Sequence, residues 1–206
     1  MSGPLAGVLT APQLTQLERA AVEQVNLGLS TSTEGTPAKS VEQVKQACSA
    51  LDTSVPLLAA FERTCAPSLA FFEAAGGLAT GCLSSVGDEC GDALDALNAE
   101  VAELSATTLR MHDAVAAAVK DPACREQLGG TTDQMAGVRA LPKATADAAK
   151  AARANDPATQ QEALTGLLTT LEQIGGKLAP ADYVAALRRD CGLPDSTPLA
   201  TPQSPA

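Results

Sequence analysis

Six cysteines are the residues whose type and spacing most constrain the chemistry of this chain: Cys48, Cys65, Cys82, Cys90, Cys124 and Cys191. The number is even, the spacing is wide, and no C-x-x-C pair occurs. Such a set reads as three disulfides in an oxidising compartment, with buried reduced thiols as the competing reading. Cys82 and Cys90 flank a short segment bordered by Gly81 and Gly91, where closure costs little chain entropy and the glycines permit close approach, so they are the first disulfide candidates. Cys124 follows a helix stop at Pro122 and Cys191 precedes one at Gly192, so an alternating bundle can bring them to the same end. Cys48 and Cys65 share one apolar seam. In a continuous helix they would stand about 25 Å apart and could not bond. They pair only if the chain turns back near Pro56.

The other candidate chemistries are weaker. His112 is the only histidine and is followed by Asp113. A Cys–His nucleophile pair needs a neighbouring thiol and an orienting group that the sequence does not supply, so no catalytic residue is assigned. Structural zinc needs four close ligands, commonly in paired short spacings, and these are missing. Asp88, Glu89, Asp92, Asp95, Glu100 and Glu103 form an acidic run. Calcium would want such carboxylates, but no EF-hand pattern occurs. Acids complementing a helix N-terminus account for the run better, and no metal is assigned. Arg139, Lys143, Lys150 and Arg153 fall on one helical face. This is a solvated surface, or a dock for an acidic partner such as the acidic run of this chain or a second copy. Phosphate-cradling, haem-attachment, zincin and nucleophile-elbow motifs are all absent, so no cofactor is expected and the ligand is not specified.

Composition says what must position these residues. Of 206 residues, 41 are Ala and 26 are Leu, against 12 Val, one Ile and four aromatics. Strands draw on β-branched and aromatic residues, so the chain is expected to be all-α. The net charge of -10 disfavours binding to a phosphate backbone, and the aromatics needed to stack single-stranded bases are scarce, so nucleic acid is not an expected partner. No apolar stretch approaches the roughly 20 residues of a membrane-spanning helix. The opening MSGPLAGVLTAP lacks the basic and apolar regions of a signal peptide, which fits either a cytosolic chain or a mature exported form.

Periodicity and caps outline the elements. The first helix is expected from Ala11 to Leu27, opened by Thr10 with Gln13 and closed by Gly28. From Val41 to Phe72 the apolar residues keep a three–four alternation through Pro56 and Pro67. This predicts one long kinked helix ending at Gly76-Gly77, with a hairpin at Asp52–Ser54 as the alternative. The third helix carries Leu94, Leu97, Val101, Leu104, Thr108, Met111, Val115 and Ala118 at heptad spacing. After a Thr131/Gln134 capping box, Pro142 interrupts an alanine-rich stretch. Two further helices follow, one ending at Gly175-Gly176 and one stopping at Gly192.

The expected architecture is an antiparallel bundle of four to five main helices with a kinked second helix. Residues 1–192 form a single domain. Residues 193–206 form a disordered tail whose four prolines prevent helix, so removing the tail after Leu193 should leave stability unchanged. The functional expectation is a non-enzymatic, disulfide-stabilised binding or scaffold protein at or beyond the cell envelope, extracellular or periplasmic, with a protein partner or self-association possible. Two alternatives stand beside it. One is a cytoplasmic interaction module with free thiols. The other is a carrier of an apolar small molecule, for which the alanine-rich seam leaves room.

Overall fold

The structure is a computed structural model that describes residues 3–30, 38–82, 87–154, 156–175 and 180–199. Among the described residues there are eight helices and no strand: α1 (Ala11–Ser30), α2 (Ala38–Ser49), α3 (Pro56–Cys82), α4 (Asp88–Ala118), α5 (Pro122–Gly129), α6 (Thr132–Ala152), α7 (Pro157–Gly175) and α8 (Pro180–Cys191). Five of them run for 19 residues or more, and α2, α5 and α8 are short.

The single kinked helix expected over residues 41–72 is two helices. The break is local chemistry. The Asp52 carboxylate accepts hydrogen bonds from the Ser54 hydroxyl at 2.6 Å and the Ser54 backbone N–H at 3.2 Å, which closes a turn the helix cannot run through. Val55 is held out of helical conformation by the proline that follows it. Pro56 therefore opens α3 at its first position, where its missing N–H costs nothing. The turn is fastened to α1 by Gln13 Nε2 donating to Asp52 Oδ2 at 2.9 Å and by the Asp52 N–H donating to Gln16 Oε1 at 3.2 Å. The apolar phase ran unbroken across this turn because the two helices bury their stripes in neighbouring cores.

Prolines inside helices had less effect than expected. Pro67 lies within α3 and Pro142 within α6, and both helices continue past them. Helix α3 also passes Gly76-Gly77 and reaches Cys82, with Phe71, Ala74, Ala75 and Leu78 packed on a shared core. Burial there offsets the glycines' weak propensity. The Thr131/Gln134 capping box forms in full, and Gly192 ends α8 in the left-handed region at φ +72°.

Two main cores hold the helices. One joins the first half of α4 (Leu94, Leu97, Val101) to α6 and α7. The alanine-rich end of α6 is part of it, with Ala148, Ala149 and Ala152 buried, because small side chains let helix axes approach closely. The other joins α1, the start of α3, the end of α4 (Val115) with Val119 beyond it, α5 and α8. The opening segment contributes Leu5 and Leu9 to that core.

The proline-rich end is extended, as its composition requires, but over residues 193–199 it is not loose. Leu193 is buried in the second of these cores. Ser196 Oγ and Thr197 Oγ1 donate to the Glu18 carboxylate of α1 at 2.6 and 2.9 Å. Glu18 is only 1% exposed, and it also receives Arg188 of α8 at 2.6 Å. Arg188 in turn pairs with Asp195 at 2.8 Å and donates to the Thr197 carbonyl. A buried carboxylate requires several donors, and here the tail supplies them. The expectation of a disordered tail therefore does not hold for 193–199, while 200–206 lie outside the described residues.

Candidate functional site

The six cysteines form three disulfides with none left free: Cys48–Cys65, Cys82–Cys90 and Cys124–Cys191, at Cα separations of 6.4, 4.5 and 4.7 Å. Each bridge sits where the fold would otherwise open. Cys48–Cys65 clips α2 onto α3, beside Leu27 and Val44. Cys82–Cys90 joins the end of α3 to the start of α4. Cys124–Cys191 ties α5 to α8 across 67 residues of chain. The alternative of free thiols falls with this pairing, and three disulfides point to an oxidising environment. Among the described residues, no helix is long and apolar enough to cross a membrane.

His112 takes a structural position. Its Nδ1 donates to the Gly129 carbonyl at 2.8 Å, which fastens α4 to the end of α5. The nearest cysteine in sequence, Cys124, is bonded to Cys191 and is no nucleophile. The acidic run and the basic face meet within the chain: Arg153, which caps the C-terminus of α6, pairs with Asp92 and Asp95 of α4 at 2.5 and 2.8 Å. Lys143 pairs with Asp147 on its own helix. Among the described residues, no cluster of acidic, His or Cys side chains could hold a metal.

The feature with the geometry of a binding site lies where sequence reasoning placed continuous core. Along α4, Leu94, Leu97 and Val101 are buried and Val115 is buried again, but Leu104, Thr108 and Met111 between them are only half-buried. There the two cores part and leave a cleft of about 880 Å³. Phe61 and Phe72 of α3 line one wall, and Met135, Val138 and Ile174 from α6 and α7 line the other. Gly28 of α1 admits the Phe72 ring, since a Cβ there would stand 3.3 Å from it. Gly130, at φ +80°, turns the chain from α5 into α6 at the cleft's edge.

Polar side chains share this lining with the apolar ones. Ser68 is 9% exposed and lines the cleft. Tyr183 of α8 also lines it. Desolvation pushes the Tyr183 phenol up to about 12. Glu126, Asp133 and Glu172, from α5, α6 and α7, are exposed at the rim. Sequence reasoning missed all of these positions. The usable signal was that Tyr183 is the sole tyrosine of a chain without tryptophan.

Fold and site together define an all-helical, disulfide-stapled protein with a ligand-sized apolar cleft between two packed cores. No protein family model matches this chain, and no curated protein or solved structure matches it either.

Proposed function

We propose that this chain is a non-enzymatic binding protein of an oxidising compartment, exported to the cell envelope or exterior. In this reading an antiparallel helical bundle holds a small, mainly apolar molecule in the cleft between α3, α4 and α6. The observation that carries the reading is the cleft itself. Its volume of about 880 Å³ falls in the range of small-molecule sites, and apolar side chains such as Phe61, Phe72, Met135 and Val138 share its walls with polar ones such as Thr64, Ser68 and Tyr183, which can fix a ligand's orientation. A gap of this size between well-packed cores forfeits dispersion contacts, and a ligand would restore them. The disulfides support the reading, because they hold the helix ends in place while the middle stays unfilled.

Tyr183 makes the test direct. It lines the cleft and is the only strong intrinsic fluorophore. Titration of the oxidised protein with dodecanol should give a saturable change in tyrosine emission. Thr108→Phe, which adds a ring to the cleft wall, should weaken binding at least about tenfold while leaving the unfolding midpoint nearly unchanged. Absence of any saturable change with the native protein would sink the reading.

A protein partner is the second reading, favoured by one observation. Leu168 on α7 is 61% exposed, and α7 packs on α6 alone among the described residues. Leu168→Glu should then abolish self-association, if any is seen by sedimentation, without lowering stability.

A further inference from the structure

We infer that the molecule this cleft accepts is aromatic, a planar fused-ring system carrying a hydroxyl or carbonyl group. The inference rests on the proposed binding function of the cleft and names the class of its ligand. The chain holds only four aromatic residues, and three of them, Phe61, Phe72 and Tyr183, line the cleft. Met111 and Met135, the two methionines beyond Met1, line it as well. These five side chains come from α3, α4, α6 and α8. Among the described residues, by contrast, Leu128 is the one leucine in the lining. Yet the chain has 26 leucines, and the cores on either side are built largely from Leu, Ala and Val. A wall that served burial alone would carry the residues that fill the rest of the bundle. This wall instead concentrates rings and thioethers, the groups that hold an aromatic ring through edge-to-face, offset-stacked and sulfur contacts.

The same side chains are held back from the gap. Phe72 lies against Gly28, where a Cβ would stand 3.3 Å from its ring. It is also set edge-on to Phe71, with ring centroids 5.5 Å apart. The Met135 methyl lies against Gly130, where a Cβ would stand at 2.7 Å, and Ile174 lies against Gly137, where one would stand at 2.9 Å. Each glycine omits the atom that would displace its neighbour, so ring, thioether and branched chain settle on backbone and leave the space between the walls open. Ser68 of α3 and Thr108 of α4 add hydroxyls to the lining. A hydroxyl both donates and accepts, which suits a hydroxyl or carbonyl on the ring system. A saturated molecule of the same size would fill the volume but forgo the quadrupole and sulfur contacts.

Naphthol and decahydronaphthol share one carbon skeleton and one hydroxyl and differ in aromaticity. Isothermal titration calorimetry of the oxidised protein compares them without interference from naphthol absorbance. Naphthol should bind about tenfold more tightly than its saturated counterpart. Phe72→Leu and Met135→Leu keep the wall apolar, and each should lower that ratio about threefold. Met135→Leu conserves volume and should unfold close to wild type, so the ratio is readable there even if Phe72→Leu costs stability. Equal affinity, tighter binding of decahydronaphthol, or a ratio unmoved by Met135→Leu would overturn the aromatic ligand and leave the cleft reading standing. Binding of dodecanol but of neither bicyclic alcohol would do the same. If dodecanol does not bind either, the cleft reading fails and this inference fails with it.

Discussion

Arginine 188 should be the most consequential side chain on the surface of this bundle. Its guanidinium reaches Glu18 Oε1 at 2.6 Å, and Glu18 is 1% exposed. In Arg188→Ala the carboxylate stays buried without its countercharge. Breaking a buried pair from one side costs about 3–5 kcal/mol. Three donors remain on Glu18: Ser196 Oγ at 2.6 Å, Thr197 Oγ1 at 2.9 Å and the Thr197 N–H at 3.3 Å. They hold the expected loss to the lower end, about 3 kcal/mol, or roughly 6–12 °C in Tm for a domain of this size. Truncation after Leu193 removes those three donors instead. The Glu18 carboxylate then stays buried with Arg188 as its one partner, and leaving a buried acceptor short of donors costs about 1–3 kcal/mol, so the truncation should lower stability by about that much. Glu18→Leu with Arg188→Met removes both charges and should unfold closer to wild type than Arg188→Ala alone. Urea unfolding followed by far-ultraviolet circular dichroism, with disulfides intact, measures all three. If both Arg188→Ala and the truncation unfold within about 0.5 kcal/mol of wild type, the buried network does not hold the tail, and the loose-tail expectation is restored.

The disulfides should rank by the loop they close. Their separations of 8, 17 and 67 residues correspond in the chain-entropy account to about 2.5, 3.1 and 4.4 kcal/mol, so Cys191→Ser should lower the unfolding midpoint more than Cys90→Ser; the reverse order would show that native-state effects outweigh loop entropy. The Ser54 hydroxyl first, then the Gln13 amide, hold the Asp52 carboxyl below its usual range. Its contribution is therefore present above the ordinary carboxylate pKa and lost as pH falls below it, so stability should drop on acidification under about pH 4 and Asp52→Asn should flatten that drop. Tyr183 is displaced in the other sense, its neutral form favoured in the fold, so its contribution is complete below the ordinary tyrosine range and lost as pH rises toward about 12. Ultraviolet titration of this single tyrosine should show late ionisation, and a midpoint near the ordinary value would refute its enclosure.

The sequence by itself determined the all-helical class, because Ala and Leu at three–four spacing leave nothing for a sheet. It also determined the helix ends at Gly175 and Gly192 and the Thr131 cap, since capping and stop signals act over three or four residues. It posed the cysteine question correctly: Cys48 and Cys65 could bond only across a turn, and Asp52 with Ser54 makes that turn. Periodicity could not decide between a kinked helix and a hairpin, because both leave the same residues apolar. The Asp52–Ser54 turn before Pro56 decides it, and the Gln13 and Gln16 contacts from α1 hold that turn in place. Tertiary structure decided the docked tail, whose partner Glu18 lies 178 residues away from Ser196. It decided most of all the cleft. Thr108 and Met111 have the heptad positions of core residues, and only the parting of two packed cores leaves them lining a cleft.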